Sequence, residues 1–171
     1  MKEIPIKAKV NCSDGDCGES KGLVIDREAL KVTFVVVEDK NLPGDSHFRL
    51  VPFDSVADAL HGKIALSCSS DDLAELDPYS DQDPVPDGGM HIRPGMKIQA
   101  TDGKVGKLDE FLLDQKSGVI TSLLMLKGHL WGKKDVVIPV NKVDQMGDVT
   151  ITLKIDKEAV SKLTAVSANR G

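Results

Sequence analysis

A chain of 171 residues, 40% hydrophobic and 29% charged, has enough apolar content to fold, which excludes a disordered chain and allows one medium domain or two small ones. Aromatic residues make up only 4%, so the core must come from Val, Ile and Leu, which suit strands. The net charge of −5 disfavours sequence-independent nucleic-acid binding, and no apolar run approaches the roughly 20 residues of a membrane-spanning helix.

The charge is uneven. Residues 1–86 carry 9 Lys/Arg against 17 Asp/Glu, a net −8, and residues 87–171 carry 13 against 10, a net +3. That asymmetry serves solubility, or it marks two halves that meet different partners or each other. The start, Met1 to Pro5, has no apolar signal core, so the expected location is cytoplasmic. Three cysteines, an odd number, do not make a disulfide framework.

Taken in order, the first elements centre on Asp14-Gly15, a hairpin signal because the turn needs a positive φ that glycine adopts freely. Strands follow over Leu23-Val24-Ile25 and residues 31–37, separated by the polar turn Asp26-Arg27-Glu28-Ala29. Residues 51–56, and the alternation of Ile64, Leu66 and Cys68 after Gly62, complete five or six short strands. Ser69 or Ser70 caps a short helix over 71–76, whose Leu73 and Leu76 would plug one end of a barrel. From Asp77 to Gly89, three prolines, Gly88-Gly89 and four aspartates predict an extended, solvated linker.

The second half repeats the first. Residues 10–26 (VNCSDGDCGESKGLVID) align without a gap on residues 98–114 (IQATDGKVGKLDEFLLD), at a shift of 88. Asp14-Gly15 falls on Asp102-Gly103, and residues 31–37 fall on 119–125. After one residue of slippage, Val51-Pro52-Phe53 falls on Ile138-Pro139-Val140. Asp156 caps a second helix over 157–163, with Val160 and Leu163 facing inward. Strands this short must close on themselves to hide their edges. The expected fold is all-β with short C-terminal helices: two small barrels in tandem, at residues 1–76 and 90–165. A linker over 77–89 joins them, and 166–171 is a frayed tail.

Ile92-Arg93-Pro94-Gly95-Met96, Asp102-Gly103-Lys104-Val105-Gly106, Phe111-Leu112-Leu113-Asp114, the loop from Gly128 to Lys134, and Val137-Ile138-Pro139-Val140 together resemble a PRC-barrel domain. Cys12 to Gly18 and Leu50-Val51-Pro52-Phe53 resemble a more divergent copy. The resemblance implies docking onto a larger assembly, as in the H subunit of purple bacterial reaction centres or in a ribosome maturation factor. Neither the membrane-spanning segment of the former nor the N-terminal domain of the latter is seen in these residues, so neither specific role carries over.

Two candidate sites stand out. Cys12 and Cys17 flank the first hairpin turn, where they could form a disulfide, supply two soft-metal ligands, or serve as small core residues like Ala100 and Val105, their counterparts. Lys127, His129, Trp131, Lys133 and Lys134 form a basic loop around the only Trp. An exposed Trp there would be a hot spot for an acidic protein surface or a stacked base, whereas a packed one would simply cover the barrel mouth. Gly18-Glu19-Ser20-Lys21-Gly22 matches the G-x-S-x-G nucleophile elbow, but a strand follows it instead of a helix, so it reads as a chance match. The four histidines are scattered and expected on the surface or in loops. The resulting expectation is a non-catalytic protein-interaction or assembly module with no cofactor and no metal. Its partner is another protein, a larger assembly or a second copy of itself, as a homodimer. The alternatives are an RNA- or ribosome-associated factor using the basic second half, and a redox-responsive protein using Cys12 and Cys17.

Overall fold

Alternation of side chains decides which segments become strands. Lys9–Cys12 and Lys63–Leu66 each bury every second residue, and so does Lys97–Ala100 in the second half. The computed structural model describes residues 2–39, 48–60, 62–79, 85, 89–114, 116–127, 134–147, 149–163 and 165–167. The first half contains β1 (Lys2–Pro5), β2 (Lys9–Cys12), β3 (Gly15–Asp26), β4 (Lys31–Asp39), β5 (Phe48–Pro52), β6 (Val56–Leu60), β7 (Lys63–Leu66), helix α1 (Ser70–Ala74) and β8 (Pro78–Tyr79). The second contains β9 (Met90–Ile92), β10 (Lys97–Ala100), β11 (Gly103–Leu113), β12 (Ile120–Lys127), β13 (Lys134–Pro139), β14 (Val143–Met146), β15 (Thr150–Leu153), helix α2 (Lys157–Ser161) and β16 (Ala165–Ser167).

These strands form two sheets of identical order. One runs β6-β7-β2-β3-β4-β5-β8 and the other β14-β15-β10-β11-β12-β13-β16. In each, one pair is parallel, β2 with β7 and β10 with β15, and the other pairs along the path are antiparallel. The remaining two strands are exchanged. β1 pairs with β11 in the second sheet, with Ile4 opposite Phe111. β9 pairs with β3 in the first, with Ile92 opposite Leu23. Ile4 and Ile92 are themselves 88 residues apart, so the exchange is reciprocal. Each sheet therefore takes a strand from the other side of the linker.

A pseudo-twofold relation passes close to Lys31 and Val119. These equivalent residues bridge each other, antiparallel. On either side, Val32 N–H donates to the Gly118 carbonyl (3.2 Å) and Ile120 N–H donates to the Leu30 carbonyl (2.7 Å). Both bonds map onto each other at the same shift. A contact between equivalent residues is the signature of an isologous arrangement, here built within one chain. A single hydrophobic cluster spans both halves, running from Ile4, Leu23 and Leu73 to Phe111, Leu123 and Val160.

Local bonds repeat as well. Gly15 (φ 132) and Gly103 (φ 140) hold the two hairpin turns in the positive-φ region, as the Asp-Gly signal predicts. The Thr33 and Thr121 hydroxyls each donate to the strand opposite, at Val24 and Leu112, both at 3.1 Å. Ser69 caps α1 with a full capping box and Asp156 caps α2, and Leu73 and Val160 are buried beneath them.

Two expectations are corrected here. The segment after Asp77 does not begin as solvated linker: Pro78–Tyr79 pairs with β5, and Tyr79 is only 5% exposed. The residues expected as a frayed tail include Val166 and Ser167, which pair with β13. β8 and β16 are counterparts, and each satisfies an edge that would otherwise stay open.

Candidate functional site

The start of α1, the first hairpin turn and the thiols converge at one end of the first sheet. The Asp14 carboxylate, in the first hairpin turn, accepts the Ser70 N–H (3.0 Å) and the Ser70 hydroxyl (2.8 Å), tying the turn to the start of α1. Those two bonds hold the Asp14 carboxyl below the usual carboxylate range. In the second half Asp102 does the same work, accepting the Lys157 N–H at 2.9 Å. Beside this tether, Ser13 N–H donates to the Cys68 carbonyl (2.8 Å), mirrored by Thr101 and Ile155 (2.9 Å).

The sequence separates Cys68 from the other cysteines by more than 50 residues, yet the tether brings all three together. A bulge in the β2–β3 ladder leaves Cys17 without a cross-strand partner and turns it inward. The Cys17 sulfur lies 2.7 Å from that of Cys12 and 3.5 Å from the Val10 carbonyl. Cys68 lies close enough to both to interact with them electrostatically. All three are free thiols. Burial, followed by the contact with Cys17, pushes the Cys12 thiol far above its ordinary 9.0. Burial likewise raises Cys17 and Cys68, with Asp39 adding to the rise at Cys17. These thiols therefore stay protonated at neutral pH, opposite to what an attacking thiolate requires. Among the described residues no cluster of His, Cys, Asp or Glu is arranged to hold a metal ion.

The G-x-S-x-G segment lies within β3, and its residues have structural work. Ser20 is fully buried; its hydroxyl accepts the Ala8 N–H (2.8 Å) and donates to the Ile6 carbonyl (3.3 Å), fastening the connection between β1 and β2. Gly22 admits the exchanged strand: a Cβ there would lie 2.4 Å from the Ile92 carbonyl oxygen. His91 is likewise no surface histidine, contrary to expectation. It is buried on β9 with Nε2 3.2 Å from the Lys21 carbonyl, and its ring meets Tyr79 edge-on at 6.1 Å.

Of the basic-loop residues, Lys127 ends β12 and Lys134 begins β13, two antiparallel neighbours. His129, Trp131 and Lys133 lie outside the described residues. What sequence reasoning missed is a cleft between the halves, where the turn before β4 faces the 3-10 turn Val140–Lys142 and β14. The signal for it was present: Leu30 stands where the repeat has Gly118.

Among the described residues no helix is long and apolar enough to cross a membrane. Residues 95–160 match the PRC-barrel domain. No curated protein matches the chain.

Proposed function

We propose that this chain is a non-catalytic docking module: two PRC-type β-barrels in tandem, joined by the segment that follows Tyr79 and fused into one body by the exchange of β1 and β9. It works in the cytoplasm, binding another protein, a larger assembly or a second copy of itself. The observation that carries this reading is the identical strand order of the two sheets, which gives the first half the same arrangement as the half that matches the family. The side chains with catalytic potential at the first sheet have structural partners or raised pKa values, which supports binding over turnover.

The basic loop of Lys127, His129, Trp131, Lys133 and Lys134 is proposed as part of the docking face. Trp131→Ala tests it: partner affinity should fall by about 2 kcal/mol or more, while stability stays within about 0.5 kcal/mol. A stability loss of roughly 3–5 kcal/mol would instead make Trp131 a core residue and remove the loop from the docking face.

The 2.7 Å approach of Cys12 and Cys17 favours a second reading, a redox-responsive disulfide. Mass measurement after treatment with oxidised glutathione tests it. Loss of two hydrogens at this pair supports the reading, and persistent free thiols refute it. The RNA-associated alternative draws on the +3 charge of residues 87–171. It requires binding that weakens steeply with salt.

A further inference from the structure

The second half fills one corner beneath its sheet with Ala100, Val105 and Ile155, each packed in or against the hydrophobic core. The equivalent corner of the first half holds Cys12, Cys17 and Cys68. The 88-residue shift fixes the first two pairs. The matched bonds from Ser13 N–H to the Cys68 carbonyl and from Thr101 N–H to the Ile155 carbonyl fix the third. Every cysteine of the chain therefore stands at this corner. The second half shows that the fold needs no thiol there, so packing alone does not account for all three.

Strand geometry carries Cys68 alongside the Cys12–Cys17 pair. β2 and β7 run parallel with Asn11 opposite Ala65, which brings Cys12 level with Leu66, and both of these are buried. Cys68 follows Leu66 by two residues and so turns to the same side. The three thiols differ in access. Cys12 and Cys17 are only 7% and 0% exposed, whereas Cys68 is partly open to solvent. Burial raises the pKa of all three, so thiolate is a minor species at each. Access then decides which one meets an oxidant first.

We propose that Cys68 is the entry thiol through which a low-molecular-weight disulfide, such as oxidised glutathione, oxidises the Cys12–Cys17 pair. The Cys68 thiolate attacks one sulfur of the reagent, forms a mixed disulfide and releases one reagent thiol. The Cys12 sulfur, having lost its proton to solvent, attacks the Cys68 sulfur and displaces the second reagent thiol, which leaves a Cys12–Cys68 disulfide. Cys17, with its sulfur 2.7 Å from that of Cys12, then attacks Cys12 and releases Cys68 as a free thiol. Each step breaks one S–S bond and forms another. Over the sequence the pair loses two electrons and two protons, the reagent takes them up as two thiols, and Cys68 ends as it began. The proposal rests on the redox reading of this pair and adds to it a reagent class and a route.

A time course of the full chain with oxidised glutathione at mildly alkaline pH, quenched by alkylation and read by peptide mass spectrometry, tests it. Cys68→Ser should form the Cys12–Cys17 disulfide at least about tenfold more slowly than the wild type, because the rate of exchange follows access to the attacking thiol. The final ratio of reduced to oxidised pair should be the same in both. Should that variant fail to fold, Cys68→Ile, which copies Ile155, serves in its place. The double variant Cys12→Ala, Cys17→Val, which copies Ala100 and Val105, should accumulate glutathione on Cys68. Equal rates in the wild type and the Cys68 variant, glutathione found first on Cys12 or Cys17, or a double variant that takes up none would overturn the entry role and leave the redox reading standing. Glutathione held on Cys68 while Cys12 and Cys17 stay free thiols would refute the redox reading, and the route with it.

Discussion

Replacing Ile4 with alanine should damage the second sheet, although Ile4 lies at the start of the first half. Ile4 is fully buried on β1 and sits opposite Phe111 of β11. An Ile→Ala change at such a site costs about 2–5 kcal/mol through lost transfer energy and the cavity left behind. For a chain of this length each kcal/mol lowers Tm by about 2–4 °C, so a fall of roughly 4–20 °C is expected. Native-state hydrogen exchange supplies the location. Loosening β1 should deprotect residues 109–113, where Ile6 N–H bonds the Asp109 carbonyl and the β1–β11 ladder runs. Ile92→Ala should give the reciprocal pattern and deprotect residues 23–25, its partners on β3. The exchanged topology would be refuted if Ile4→Ala deprotected residues 9–26 and left 109–113 untouched.

Gly15→Val and Gly103→Val should each destabilise by about 1 kcal/mol or more, because a β-branched residue is strained at these positive φ values. At Gly15 no atom lies within 4 Å of a new Cβ, so the loss there is backbone strain alone, and an unchanged Tm would contradict the turn geometry. Ser69→Ala and Asp156→Ala should each cost about 1 kcal/mol through loss of a helix cap, measured by chemical denaturation. The thiols predict a pH dependence. Their pKa values are raised in the folded chain, so their contribution is complete below the ordinary 9.0 and is lost as pH climbs above it, when the unfolded chain ionises first. A melting temperature that falls above pH 9 in the wild type, and less in Cys12→Ala, is the expected result; identical pH profiles would contradict it.

Much of this structure was legible because its signals are local. The Asp-Gly turns, the Ser69 and Asp156 caps and the aligned strands of the repeat depend on residues near each other in sequence. The exchange of β1 and β9 was not legible. A four-residue strand pairs with whichever edge the packing offers, and nothing in Lys2–Pro5 distinguishes β11 from β3. Tyr79 and Val166 were hidden for a different reason. Strands of two or three residues cannot display alternation, and Tyr79 sits among prolines and aspartates that suggest a linker. The meeting of Cys68 with Cys12 depends on the long-range tether from Asp14 to Ser70. Leu30, by contrast, was readable. Its alignment with Gly118 marks a position that demands positive φ, and a leucine there is the anomaly that leads to the cleft.

The claim that this chain works by docking onto a protein is tested most directly by quantitative affinity capture from native extract, with and without nuclease, using the full chain as bait. A discrete protein retained in stoichiometric amount, unaffected by nuclease and reconstituted with purified components, is the predicted result. Retention that disappears with nuclease, or no retained protein from extract at native concentrations, would contradict the claim.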